Sequence, residues 1–380
     1  MCYGRRLVWV ALVVVLCGAD RTIAADAGTS WGVVDVRTGT LLLGERVDEA
    51  RALGTGYQLL VLLSALEQAQ LGMLPLDVPV SADPATLNQL RGRPGERLKL
   101  TADKTYLLSD LLKAIVLTGS DVAAAVAAEA MWGSRSNAVE ALNERAKRMG
   151  LAMTQVADLT ADAEGNMTTV AELGRLVAVL WREHREVREW GTLRGFPFDG
   201  GRLLLANGHL PPREVGVWAF YHRSSAPRGK RVSLQRVGLL VGERDGMTLA
   251  AVRLGDEDVS PAVTSLVEAL RQAFEAYEPV TLVRAGEPLK IRVAVEGGEE
   301  PFIVPHAGDE VRIPRRKGSE EQVQLLFQLP SLVTAPVARG ERIGEVVVEV
   351  DRKIVAVVPA ISPKTIASSG IRAAEAQWRH

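Results

Sequence analysis

The sequence predicts an α+β fold with an antiparallel sheet, followed by a separate all-β domain. Strand patterns at residues 30–36 and 41–43 precede a block of helical patterns, and strands and a closing helix return at residues 202–277. Strands placed before and after a block of helices are typical of an antiparallel sheet covered by helices. Beyond Glu278 the chain has only short strand patterns separated by Gly and Pro, which is typical of an all-β domain.

Residues 54–72 are predicted to form a helix that runs through the core. Leu59 to Leu63 contains no polar residue, and a helix that is apolar all round is buried all round. The Gly/Thr cluster at its start is a candidate cap, and Gly72 is a candidate left-handed end. We expect either an ordinary capped core helix or the floor of a pocket, because the first turn carries polar side chains: Thr55, Tyr57 and Gln58.

The other helices and strands follow from spacing and turn signals. Helical spacing from Ser109 stops at residues 118–121, and further helices are predicted at 122–131, 136–149 and, after a capping box at 169–172, up to residue 184. An Asp-Gly pair at 245–246 predicts a hairpin between strands at 232–241 and 247–254. Residues 74–105 are predicted to be irregular. The predicted domains are a head at 26–278, a β-domain at 279–362 and a tail at 363–380.

The N-terminus has the pattern of an export signal. Two arginines at positions 5 and 6 precede an apolar run, Leu7–Cys17, and small residues end at Ala25. Residues 1–25 are therefore predicted to be a signal peptide, and the protein is expected outside the cytoplasm, in the periplasm or an equivalent compartment, with membrane association left open. Both cysteines lie in this segment, so the mature chain would have no disulfide and no cysteine nucleophile.

Composition excludes several classes of function. The net charge of −1 does not indicate binding to nucleic acid. After residues 7–17 the sequence has no second apolar run long enough to predict a transmembrane helix in the mature chain. The five histidines show no metal-ligand spacing. We therefore expect no metal and no cofactor.

The run from Ser109 to Glu129, with Gly133, Asn143 and the Ala-Asn-Gly at 206–208, resembles the serine D-alanyl-D-alanine carboxypeptidases, the low-molecular-mass penicillin-binding proteins that trim peptidoglycan. The stretch from Ala335 to Gly344 resembles the β-domain of that family. The resemblance implies a β-lactamase/DD-peptidase-like head with an antiparallel sheet and helices, plus a C-terminal β-sandwich.

The chemistry of this family depends on Ser-x-x-Lys, Ser-x-Asn and Lys-Thr-Gly motifs, and none of the three occurs in this chain. Alignment without a gap on Glu67 and Gly72 places Thr55 at the nucleophile position and Gln58 at the position of the base. Gln58 is neutral, whereas a hydroxyl nucleophile needs an adjacent base or a lowered pKa.

The second and third motifs are also altered. The second reads Thr118-Gly-Ser120, without the amide side chain, and the third reads Pro227-Arg228-Gly229. Arg228 or Lys230 could hold a carboxylate in place of the absent lysine, although a solvated basic turn is the favoured explanation of these residues. His209 and His222 are weaker candidates for a base.

Two functions of different classes follow. The favoured hypothesis is a pseudoenzyme of the cell envelope that binds peptidoglycan peptide or an envelope protein through Thr55, Thr118, Ser120, Arg228 and Gly229. The alternative is an active D-Ala-D-Ala carboxypeptidase that uses non-standard residues. The lost positions favour the first, because catalytic residues that act as a unit fail together.

Overall fold

The computed structural model describes residues 29–93, 96, 98–205, 218–223, 236–255 and 259–369. The predicted signal peptide, the candidate binding residues Arg228 and Gly229, the alternative base His209 and the end of the predicted tail lie outside the described residues. The backbone of His222 lies inside a strand.

The described residues between 29 and 276 form both helices and strands. The helices are α1 (Tyr57–Gln70), α2 (Pro84–Leu90), α3 (Leu108–Thr118), α4 (Asp121–Trp132), α5 (Arg135–Arg148), α6 (Val170–Glu183), α7 (Arg185–Gly191) and α8 (Val259–Ala276). The strands are β1 (Ser30–Asp35), β2 (Leu41–Glu45), β3 (Arg51–Ala52), β4 (Pro79–Ser81), β5 (Thr105–Leu107), β6 (Met167–Thr168), β7 (Gly195–Phe198), β8 (Arg202–Leu205), β9 (Trp218–Arg223), β10 (Arg236–Arg244) and β11 (Met247–Gly255).

The main sheet is antiparallel, with the order β2-β1-β11-β10-β9. Strand β1 is buried along its whole length because both faces of the sheet are covered. Trp31 and Val33 pack with α8, and Val34 packs on the opposite face with α1 and α6. This arrangement confirms the predicted α+β fold with an antiparallel sheet.

Helix α1 is the central element of the larger core. Its residues from Tyr57 to Leu66 are all buried, as the unbroken apolar run predicts. Gly72 follows the helix with φ of +68°, which confirms the predicted left-handed end. Asp245 and Gly246 both have positive φ, and they form the predicted hairpin turn between β10 and β11.

Two local expectations were wrong. The Gly/Thr cluster does not cap α1 through a side chain; a 3₁₀ turn, Gly54–Gly56, leads directly into the helix. Residues 74–105 are not all irregular, since they contain β4, α2 and the start of β5. Helix α2 begins with a side-chain cap from Asp83 and a proline at its first position, which is a start signal of helices.

Residues 277–369 contain strands and turns and, within this described stretch, no helix. The strands are β12 (Tyr277–Val283), β13 (Val293–Glu296), β14 (Phe302–Ile303), β15 (His306–Ala307), β16 (Val311–Arg316), β17 (Val323–Gln328), β18 (Leu332–Thr334), β19 (Arg342–Val350) and β20 (Lys353–Ile361). One sheet has the order β15-β20-β19-β17, a second has β14-β13-β18, and β12 pairs with β16. The composition boundary at Glu278 falls inside β12, and Ile366, in the predicted tail, is buried against Val337.

Candidate functional site

Thr55 and Gln58 lie at the start of the buried helix, as the alignment of the first motif predicts. Thr55 is the middle residue of the 3₁₀ turn, and Gln58 is in the first turn of α1. Gly56 lets this turn stay tight, because a Cβ there would lie 2.7 Å from a methyl group of Leu53. Thr55 is 4% exposed and Gln58 is fully buried, so the two side chains are positioned by the core.

The amide of Gln58 is held by two acceptors. Its Nε2 donates to the main-chain oxygen of Gly119 at 3.1 Å and to Oδ1 of Asp121 at 2.9 Å. The opposite orientation of the amide would direct an oxygen at two other oxygens, so the hydrogen bonds fix which atom is nitrogen. An amide nitrogen that donates both protons has no capacity to accept one, and Gln58 therefore cannot act as a general base.

Asp121 is the centre of this polar cluster, which we define as Tyr57, Gln58 and Asp121. The Tyr57 hydroxyl lies 2.6 Å from Oδ1 of Asp121 and 3.0 Å from the main-chain oxygen of Leu159. Oδ2 of Asp121 accepts the main-chain N–H of Ala161 at 3.1 Å. Burial raises the pKa of the Asp121 carboxyl, although the hydrogen bonds it accepts act in the opposite direction.

The hydroxyl of Thr55 is not part of this cluster. Within the described residues its Oγ1 is buried and has no hydrogen-bond partner. An alcohol of ordinary pKa needs a base within hydrogen-bond distance in order to attack a carbonyl. No lysine or histidine among the described residues supplies such a contact to Thr55, Gln58 or Ser120.

The second motif forms a helix junction. Thr118 ends α3 and its hydroxyl donates to the main-chain oxygen of Ala114 at 2.7 Å. Gly119 takes the left-handed conformation at φ of +64°, where a residue with a side chain would be strained. Ser120 then caps α4 by accepting the N–H of Ala123 at 3.0 Å.

Glu96, which is not part of the motif, binds the same helix junction through its carboxylate. Its Oε1 accepts the Ser120 hydroxyl at 2.9 Å, and its Oε2 accepts the N–H of Val122 at 3.1 Å. A carboxylate at a helix N-terminus is stabilised by the helix dipole and by the unpaired N–H groups there. Burial nevertheless raises the pKa of Glu96. The hydroxyl of Ser120 therefore stabilises the start of α4 in this arrangement.

The structure brings together four of the predicted site residues, Thr55, Gln58, Thr118 and Ser120, at the junction of α1, α3 and α4. Gln58 contacts the main chain of Gly119 directly, which connects the first motif to the second. Sequence reasoning missed the roles of Asp121 and Glu96. Asp121 directly follows the second motif and could have been weighed with it, whereas Glu96 lies in the stretch predicted to be irregular and carries no positional signal.

Two clefts open elsewhere on the described surface. One, of about 590 Å³, is lined by residues of β4, α2 and the α4–α5 junction, and the other, of about 240 Å³, lies between the head and β16. Neither is lined by Thr55, Gln58, Thr118 or Ser120. Among the described residues no cluster of three acidic, histidine or cysteine side chains could hold a metal ion, and no helix is long and apolar enough to cross a membrane.

Comparison with known sequences gives two matches along the chain. Residues 19–196 match the family described as D-alanyl-D-alanine carboxypeptidase, and residues 277–368 match the C-terminal domain of penicillin-binding protein 5. The candidate residues Arg228 and Gly229 lie between the two matched stretches. The chain is 20% identical over 343 residues to the D-alanyl-D-alanine carboxypeptidase DacF of Bacillus subtilis. This alignment covers 89% of this chain and 85% of DacF.

Solved structures show the same fold. A peptidoglycan synthesis regulatory factor, PBP3 of Streptococcus pneumoniae, superposes with a TM-score of 0.73 at 15% identity and covers 90% of this chain and 100% of its own. Penicillin-binding protein 5 of Haemophilus influenzae superposes with a TM-score of 0.67 at 16% identity and covers 91% of this chain and 99% of its own. These similarities extend over both the helix-containing head and the C-terminal strands.

Proposed function

Because the chain belongs to the D-alanyl-D-alanine carboxypeptidase family, we propose that it is a catalytically inactive member of that family. It is located in the cell envelope and binds a peptidoglycan peptide or an envelope protein. The observation that carries this proposal is the Gln58 amide, which donates to Gly119 and Asp121; the sequence alignment assigns Gln58 to the position of the family's base. Fold alone does not decide function, whereas the chemistry of this site does.

Loss of the base is the decisive change. The Thr55 hydroxyl keeps no hydrogen bond to a proton acceptor among the described residues. At neutral pH an alcohol without such a partner stays almost entirely protonated. In subtilisin, removal of the nucleophile or the base alone lowers kcat about as much as removal of the whole catalytic triad, on the order of 10⁶-fold.

Peptide binding is the part of family function that survives this loss. Thr55, Thr118 and Ser120 place hydroxyl groups near one junction, and Arg228 offers a guanidinium that suits a terminal carboxylate. Since the Ser120 hydroxyl already bonds Glu96 and caps α4, we expect the carboxylate contact and main-chain groups to provide most of the affinity. Binding should accordingly be weak.

Export is part of the same proposal. The basic residues before Leu7–Cys17 and the small residues that end at Ala25 support cleavage of a signal peptide. Sequencing of the exported protein should give an N-terminus close to Asp26. A protein that retains Met1 after export would contradict this part.

Acylation by a fluorescent penicillin tests inactivity directly. The purified mature protein should give no covalent adduct by mass spectrometry and should release no D-alanine from a pentapeptide, whereas an active carboxypeptidase assayed in parallel should do both. A stoichiometric adduct on Thr55, or catalytic release of D-alanine, would establish the alternative function, an active carboxypeptidase with non-standard residues.

A peptide titration tests the binding part. A peptide that ends in D-Ala-D-Ala should bind, and the same peptide ending in L-Ala-L-Ala should bind much more weakly. Arg228→Gln should reduce affinity for the first peptide, while Arg185→Gln, which changes an 80% exposed side chain on α7, should leave it unchanged. Equal binding of both peptides would argue against a retained family pocket.

A further inference from the structure

A cleft of about 240 Å³ lies where the head meets strand β16, and its lining is unusually basic. Four arginines from four separate elements line it, together with one carboxyl group, that of Asp35. The four are Arg37 in the β1–β2 turn, Arg182 at the end of α6, Arg188 in α7 and Arg312 in β16. Positive charge gathered from elements so far apart in sequence is a property of the fold and not of a local basic run.

Among the described residues, two of these guanidinium groups form no ion pair with a carboxylate. Within the described part of the chain, Arg37 donates to the main-chain oxygen of Glu310 at 3.3 Å, and Arg188 donates to the main-chain oxygen of Trp181. Neither forms an ion pair within 4.0 Å there. Each guanidinium has five N–H donors, so both retain capacity for an anionic ligand.

The other two arginines are only partly neutralised. Arg182 pairs with the neighbouring carboxylate of Glu183 at 2.7 Å, and Arg312 pairs with Glu310 at 3.4 Å. All four of these side chains are between 37% and 46% exposed, and exposed pairs of this kind are weak. They hold the guanidinium groups in place without cancelling the positive potential of the cleft.

The Asp35 carboxyl is engaged by the β1–β2 turn. Its Oδ2 accepts both the main-chain N–H of Thr38 at 3.0 Å and the Thr38 hydroxyl at 2.6 Å. Burial raises the pKa of this carboxyl, while Arg37 and the hydrogen bonds from Thr38 lower it. Its hydrogen bonds close the β1–β2 turn and thereby fix the position of Arg37.

The hairpin turn at the rim leaves space for Arg312. Gly246 has φ of +80°, and a Cβ at this position would lie 2.6 Å from Nη1 of Arg312. A side chain at this position would therefore require the flexible end of Arg312 to shift. The positive φ is the main reason that glycine is favoured here.

We propose that this cleft binds a phosphate group, either free or as part of a small phosphate ester. Several guanidinium groups directed from different elements match a tetrahedral, doubly charged oxyanion better than a planar, singly charged carboxylate. The volume is below the range of about 300–1,000 Å³ that holds a drug-sized ligand, so only the phosphate and a small attached group would be enclosed. The site is separate from the Thr55 junction, and its function does not depend on the proposed loss of catalysis.

Calorimetric titration of the full mature protein tests the proposal with inorganic phosphate and glycerol phosphate, against sodium acetate at matched ionic strength. Both phosphate probes should bind and acetate should not. Arg37→Gln and Arg312→Gln should each weaken binding about tenfold or more, as expected for loss of a charge-assisted hydrogen bond. Arg185→Gln removes the same charge from an exposed position outside the cleft and should leave the affinity unchanged.

Three further measurements complete the test. Arg37→Lys retains the charge without the bidentate geometry and should bind phosphate with intermediate affinity. Thermal unfolding of each variant, in a chloride buffer that contains no phosphate, checks that the variant is folded. Vesicles of phosphatidylglycerol, compared with phosphatidylcholine, separate a lipid headgroup from a soluble ester: cosedimentation that requires Arg37 and Arg312 would assign the phosphate to lipid. Absence of binding to every phosphate probe, or equal affinity in Arg37→Gln, Arg312→Gln and Arg185→Gln, would overturn the proposal.

Discussion

Gln58→Glu is the substitution that most directly tests the polar cluster at the start of α1. It keeps the shape of the side chain but replaces the donor Nε2, which contacts Gly119 and Asp121, with an oxygen. A carboxylate would then face the Asp121 carboxylate at hydrogen-bond distance. Two such groups cannot both ionise when they are buried together, so the folded variant must hold one extra proton.

The magnitude follows from the cost of that proton. A glutamate has an ordinary pKa of about 4.3, and each pH unit above it costs about 1.36 kcal/mol to keep the group protonated. At pH 7 this amounts to about 3.7 kcal/mol, and at pH 5 to about 1 kcal/mol. Loss of the hydrogen bond to Gly119 adds about 1 kcal/mol at either pH. The folded variant binds the proton more tightly than the unfolded chain, so its deficit should shrink as the pH falls.

Urea unfolding of the variant and the parent protein at both pH values measures this difference. Gln70→Glu is the matched control, because Gln70 ends the same helix and makes only an exposed hydrogen bond to the main-chain oxygen of Glu183; it should change stability by less than about 1 kcal/mol. If Gln58→Glu were as stable as the parent at pH 7, or if its deficit were the same at pH 5, the Gln58 amide would not be donating to Asp121.

Three further outcomes are expected. Thr55→Ser combined with Gln58→Lys should not restore acylation by penicillin, because Asp121 would hold the new amine as an ammonium ion and the amide side chain of the second motif would still be absent; an adduct in mass spectrometry would contradict this. Burial lowers the pKa of His184 below its ordinary 6.5, and neither ring nitrogen has a partner in the described structure, so the folded state resists protonation. The parent protein should therefore lose stability relative to His184→Phe as the pH falls below about 6.5 in urea unfolding, and parallel curves would refute the assignment. Limited proteolysis should separate the head from the β-domain between Tyr277 and Leu289, and cleavage confined to other regions would argue against that boundary.

The sequence by itself determined the local elements that depend on periodicity and turn chemistry. The apolar run of α1, the left-handed Gly72 and the Asp-Gly hairpin at 245–246 each depend on the residue and its near neighbours, and the structure confirms all three. The absence of the three family motifs was also readable from residue identity alone. The segment at 74–105 was misjudged, because short elements such as α2 carry too few residues for a periodic signal.

Only the tertiary structure decided how the altered motifs are used. Gln58 contacts Asp121, which lies 63 residues later in the sequence, and Ser120 contacts Glu96, which lies 24 residues earlier. The basic cleft joins Arg37 to Arg312 in the same way. Such contacts arise when packed helices and strands bring remote segments together, and no local pattern encodes them. The identity of Gln58 therefore predicted a neutral side chain at the start of α1, but its two hydrogen bonds came from the packing of α1 against the α3–α4 junction.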